Sequence, residues 1–133
     1  MPLVRIALRE SRSAAEKKQI GDGIHQAMVE TMGVPAADRF QLFTEHAQGS
    51  FLYDPDYLGM RRTDALVFVQ ISLSAGRTVE QKRAFYRKAV ELLATSPGLR
   101  PEDVFINLVE VGKDAETSRA NWSFGKGEAQ YLP

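Results

Sequence analysis

Residues 3–20 read LVRIALRESRSAAEKKQI, and residues 68–85 read FVQISLSAGRTVEQKRAF. Laid over one another without a gap, both stretches carry an alternating apolar run, then an arginine, then a hydroxyl residue three positions ahead of Glu or Gln. The match continues at a constant offset of 65 from residues 3–46 onto residues 68–111, setting Gly33 on Gly98, Asp38 on Asp103, Phe40 on Phe105 and Glu45 on Glu110. Self-similarity in one register means two copies of one supersecondary unit.

Each copy reads the same way. Val4, Ile6 and Leu8, like Val69, Ile71 and Leu73, alternate with period two and predict a strand with one buried face. Ser13 with Glu16, and Thr78 with Gln81, have the spacing of a capping box, in which the hydroxyl caps an amide and the longer side chain reaches back. Ile20, Ile24, Ala27 and Met28, and Phe85, Ala89, Leu92 and Leu93, form the apolar stripes of two helices. Gly33 and Gly98 are placed to end them, and a second strand is predicted near residues 39–45 and 104–110.

The predicted architecture is therefore α+β: two tandem β-α-β units forming a four-stranded sheet with both helices on one face. The other face carries apolar side chains without helical cover, which calls for a partner subunit. We read residues 1–133 as a single domain, residues 47–67 as a linker with at most a short hairpin, and residues 112–133 as an aromatic tail. Trp122, Phe124 and Tyr131 on that tail are expected to pack, on a neighbouring subunit, because exposed aromatics harm solubility.

Composition removes several function classes. Of 133 residues, 17 are Lys or Arg and 17 Asp or Glu, so the charge balance offers no footprint for nucleic acid or an anionic membrane. There is no cysteine and there are only 2 histidines, without metal-ligand spacing, so no metal and no cofactor is expected. Neither a leader nor a membrane-length apolar run is legible, and the expectation is a cytoplasmic protein.

Pro2 raises a chemical question. A proline that heads a strand costs little, because its missing N–H is not needed there. A small second residue also generally permits removal of Met1, and residue 2 would then carry a secondary amine. A free α-amine titrates near pH ~8, and partial desolvation brings it toward neutrality, where a base suits proton abstraction alpha to a carbonyl.

Pro2, the turn GRT at 76–78, TEH at 44–46 and the tail WSFGKGE at 122–128 together resemble the tautomerase superfamily, and most of all its malonate semialdehyde decarboxylase-like branch. The resemblance implies a homotrimer of double β-α-β subunits acting on a small carboxylate substrate, with Pro2 at the floor of a pocket near an interface. It implies Pro2 as acid or base, Arg77 as the clamp for the carboxylate, Asp38 beside the proline nitrogen, and Trp122 and Phe124 as an apolar wall. Decarboxylases of this branch carry two arginines close together before the second helix, whereas Ser74-Ala75-Gly76-Arg77 supplies one. That departure favours keto–enol proton transfer on a small 2-oxo carboxylic acid. The alternatives are a decarboxylase or hydratase-like lyase on a three-carbon acid and, from a different class, a non-catalytic small-ligand binding module.

Several residues carry two readings. Asp38 shares its turn with Asp103, so an Asx-turn former competes with a carboxylate that steers the amine. Arg12, the repeat partner of Arg77, stands as a site residue or a solvated arginine. His25 lies one position off its helical stripe and is expected to be solvated, and His46 is unassigned.

Overall fold

The computed structural model describes residues 2–112 and 121–125. Strand β1 spans Pro2–Arg9, helix α1 Ala14–Met32, strand β2 Gln41–His46, strand β3 Val67–Ser74, helix α2 Val79–Thr95 and strand β4 Val104–Val111. The sheet order is β2-β1-β3-β4, with β1 and β2 parallel, β3 and β4 parallel, and the central β1–β3 pair antiparallel. Within each unit the helix returns the chain to the same end of the sheet, which forces parallel pairing. The antiparallel seam joins the two units.

Local chemistry accounts for the elements. Both helices open with a complete capping box, Ser13 with Glu16 and Thr78 with Gln81. The period-two residues Val4, Ile6, Leu8, Val69, Ile71 and Leu73 face the helices and are fully buried. Ile20, Ile24, Ala27 and Met28 of α1 and Phe85, Ala89 and Leu93 of α2 close that core, with Leu92 at its margin. A Cβ on Gly23 would come within 3.0 Å of Leu93 Cδ2, so a glycine in mid-helix sets how closely α1 and α2 approach. The offset of the repeat reappears in the ion pairs Lys17–Glu45 and Lys82–Glu110, which tie each helix to the second strand of its unit.

The helices end differently. α1 stops at Gly33, whose left-handed backbone (φ 67°) lets its N–H reach the Met28 carbonyl, as expected. α2 stops at Thr95, before its glycine, because Ser96 is driven to extended backbone by Pro97. Gly98 still has a positive φ of 104° and donates to the Leu93 carbonyl at 3.0 Å, so it closes the end without being the cap residue itself.

The linker forms two short 3-10 turns, Gln48–Ser50 and Tyr57–Gly59, and no hairpin. The described residues cover the sheet face away from the helices only in part, with Phe51 packed on Phe68. Leu42 is 51% exposed and Phe105 43%, and Phe68 packs against Phe105 with ring centroids 5.2 Å apart. Among the described residues no helix is long and apolar enough to cross a membrane.

Candidate active site

The topology gathers four chain positions at one end of the sheet: the start of β1, the approach to β2, and the ends of β3 and β4. Pro2 is buried and lies opposite Leu73. Val4 N–H donates to the Phe40 carbonyl at 3.0 Å, which draws the lead-in to β2 against β1 and brings the Asp38 turn to the same end. Within that turn Asp38 N–H donates to the Pro35 carbonyl at 3.0 Å, and the Asp38 side chain is partly buried.

Arg77 follows β3 at this end. Ala75 N–H donates to the Val111 carbonyl at 2.8 Å, holding the end of β3 to the end of β4, and the chain turns at Gly76. The Arg77 guanidinium is partly buried, its Nε donating to the Met32 carbonyl at 3.2 Å and its Nη1 to the Ser74 carbonyl at 3.0 Å. Both partners are neutral. No carboxylate among the described residues pairs with Arg77.

Trp122 and Phe124 stack with their rings 5.9 Å apart and 8° from parallel. With Leu3 and Phe40 they line a cavity of about 420 Å³ on the uncovered side of the sheet. The described tail residues thus share a cavity with the start of β1 of their own chain; Tyr131 lies outside the described residues. Pro2, Asp38 and Arg77 are not in the lining of that cavity, so the wall and the polar groups share one end of the sheet without enclosing one pocket within a single chain. A second cavity, of about 500 Å³, lies on the open sheet face between Arg5, Thr44, Phe68, Gln70 and Phe105.

The opposite end of the sheet is the repeat counterpart of this one, and it is filled. Asp103 is 1% exposed and accepts from Thr63 N–H and Thr63 Oγ1, both at 2.7 Å. Arg12 donates to the Ala65 carbonyl at 2.8 Å and to Glu16 Oε2 at 3.3 Å. Val67 occupies the place equivalent to Pro2, inside the chain, where a nitrogen is an amide without a basic lone pair. Asp103 is therefore a structural carboxylate, and Asp38 does not share its linker partner.

His25 departs from the solvated position expected of it. Its Nε2 lies 2.8 Å from the Ala36 carbonyl and its Nδ1 is buried without a partner, which fixes the tautomer with Nε2–H donating. The ring thereby holds the turn that carries Asp38. Being next to the stripe residue Ile24 was the only sequence signal for this. His46 projects on the open face, 6.1 Å from the Phe51 ring. Among the described residues no three His, Asp or Glu side chains stand together as a metal site.

This double β-α-β fold, with a proline at the head of its first strand, defines the class. Two family profiles described as tautomerase enzyme match residues 38–125 and residues 2–61. The probable tautomerase YusQ of Bacillus subtilis is 40% identical over 132 residues, covering 99% of both chains. The chain belongs to the tautomerase family. Among solved structures, a malonate semialdehyde decarboxylase described with decarboxylase and hydratase activities is 35% identical, with a TM-score of 0.83 over 95% of this chain and 92% of its own. A fused 4-OT solved as an asymmetric trimer shares the fold at 22% identity, with a TM-score of 0.73 over 96% of this chain and 95% of its own.

Proposed function

We propose that this protein is a cytoplasmic tautomerase that interconverts the enol and keto forms of a small 2-oxo carboxylic acid, with the amine of Pro2 as the proton carrier. The observation that carries this reading is the meeting, at one end of the sheet, of Pro2, the Asp38 turn and an Arg77 that pairs with no carboxylate among the described residues. Once Met1 is removed, neutral Pro2 takes the enol hydroxyl proton to leave an enolate, and the resulting cation returns a proton to the carbon alpha to the carbonyl as the C=C electrons form the new C–H bond and the C=O bond forms. Proton transfer by a positioned base contributes about 10²- to 10⁴-fold. Arg77 holds the substrate carboxylate with the N–H groups its two backbone carbonyls leave over, since a planar guanidinium matches a carboxylate. Asp38 steers the amine. Trp122 and Phe124 exclude water, which favours the uncharged amine.

The open sheet face and the trimeric assembly of the fused 4-OT support a homotrimer, in which a neighbour closes the pocket that one chain leaves open. A second reading rests on the 35% identity to malonate semialdehyde decarboxylase: a lyase or hydratase in which cationic Pro2 and Asp38 polarise a carbonyl or activate water. The experiment that separates them compares kcat/KM for phenylenolpyruvate ketonisation with that for malonate semialdehyde decarboxylation. Faster ketonisation is expected. The reverse order makes the protein a lyase, and activity on neither substrate points to a binding module.

A further inference from the structure

The two capping boxes are alike in backbone, and their reach-back side chains differ in one heavy atom, a carboxylate oxygen in Glu16 and an amide nitrogen in Gln81. The N-cap residues Ser13 (φ −68°, ψ 162°) and Thr78 (φ −74°, ψ 162°) have the same conformation, and each follows an arginine. In the first box Glu16 Oε1 accepts from Ser13 N–H at 3.4 Å, which leaves Oε2 to accept from Arg12 Nη1 at 3.3 Å. In the second, Gln81 Oε1 accepts from Thr78 N–H at 2.9 Å. The remaining Gln81 atom is an amide nitrogen, a donor that offers a guanidinium nothing. Arg12 is thus half of an ion pair four residues apart, whereas Arg77, among the described residues, meets the Met32 and Ser74 carbonyls and no carboxylate.

We infer that Gln81 is a specificity-determining residue: its neutral amide completes the cap of α2 while withholding the carboxylate that cancels Arg12, and so reserves the Arg77 charge for an anionic ligand. The inference rests on the reading of Arg77 as the carboxylate clamp. A glutamate at position 81 would be an internal competitor, present at high effective concentration beside the site. Because Ser13 and Glu16 build the same box with a carboxylate, the substitution leaves the cap intact.

The test is Gln81→Glu, assayed with phenylenolpyruvate and with its uncharged methyl ester. KM for the acid is expected to rise roughly 10- to 100-fold, the scale of one lost charge-assisted hydrogen bond, with kcat and the melting temperature little changed. The ester should be indifferent, and Gln81→Glu should add nothing in an Arg77→Ala background. Gln81→Ala, which loses the reciprocal cap bond but adds no charge, is expected to lower the melting temperature and leave KM unchanged. An unchanged KM in Gln81→Glu where Arg77→Ala raises it overturns the role of Gln81 alone. A KM that rises equally for acid and ester, or equally in Gln81→Ala, overturns it too. If Arg77→Ala itself leaves KM unchanged, the clamp is wrong and the inference falls with it.

Discussion

Pro2 and Leu73 are cross-strand partners in the antiparallel β1–β3 pair, so the residue that heads β1 lies beside the strand end from which Arg77 departs. A nitrogen at that place acts as a base only if no residue precedes it, because an acylated proline nitrogen has no basic lone pair. The active protein should therefore have lost Met1 by mass spectrometry. A variant made to retain residues ahead of Pro2 should trimerise and fold normally but lose about 10²- to 10⁴-fold in kcat/KM. Full activity in that blocked form would leave Pro2 as a strand start only.

Arg77 and Arg12 occupy equivalent places in the repeat but have different partners, neutral carbonyls for one and Glu16 for the other. Arg77→Ala should cost carboxylate substrates about 1.5–3 kcal/mol, roughly one to two decades in kcat/KM. Arg12→Ala should leave kinetics near wild type. Equal losses at both positions, in steady-state assays, would count against a single carboxylate site.

The His25 Nε2–H to Ala36 carbonyl bond holds the turn that ends in Asp38. His25→Gln can place a donor near that of Nε2 and should keep activity, whereas His25→Asn has too short a reach and should lower kcat several-fold with KM unchanged. Similar kinetics for the two variants would separate His25 from the Asp38 turn.

Asp103 is buried and accepts both hydrogen bonds that Thr63 offers. Asp103→Ala strands these donors, and denaturant unfolding should show a loss of about 1–3 kcal/mol with kcat/KM retained. Asp38→Asn should do the opposite, lowering kcat with little effect on stability. The reverse pattern would exchange the two roles.

Tyr53 Oη donates to Asp64 Oδ1 at 2.8 Å, and Arg9 pairs with Asp64 Oδ2 at 2.7 Å. The Asp64 bond, and then burial, raise the Tyr53 pKa above its ordinary value of 10.0, so this contact stabilises below pH 10.0 and is lost as pH rises through the folded value. Asp64 is lowered from 3.8 by the Tyr53 bond first and then by Arg9; its share is present above pH 3.8 and lost as pH falls through the lower folded value. In an ultraviolet phenolate titration, Tyr53→Phe should remove an ionisation above pH 10.0, and Asp64→Asn should bring that ionisation to lower pH. An unchanged titration in Asp64→Asn would dissolve this account of the linker contact.

Most of the fold is legible in the sequence because its signals are short-ranged. The strand alternation of Val4, Ile6 and Leu8, the Ser13 and Thr78 boxes and the Gly33 stop each lie within a few residues, and the repeat states each of the first two twice. α2 stopped before its expected glycine because a nearby proline, Pro97, outweighed it. The candidate residues Pro2, Asp38 and Arg77 are named through the family resemblance, with Asp38 also read as a turn former.

What the sequence by itself determined is two β-α-β units, two helices on one side and a sheet face in need of cover. Only the tertiary structure decided that the two ends of the sheet are unequal. Thr63 reaches Asp103 across 40 residues and Arg12 reaches Ala65 across 53. Those contacts exist because the linker that carries Thr63 and Ala65 runs on into β3, a long-range pairing that periodicity cannot register. One carboxylate and one arginine are thereby spent on holding the chain together, and their repeat partners stand where Pro2 begins.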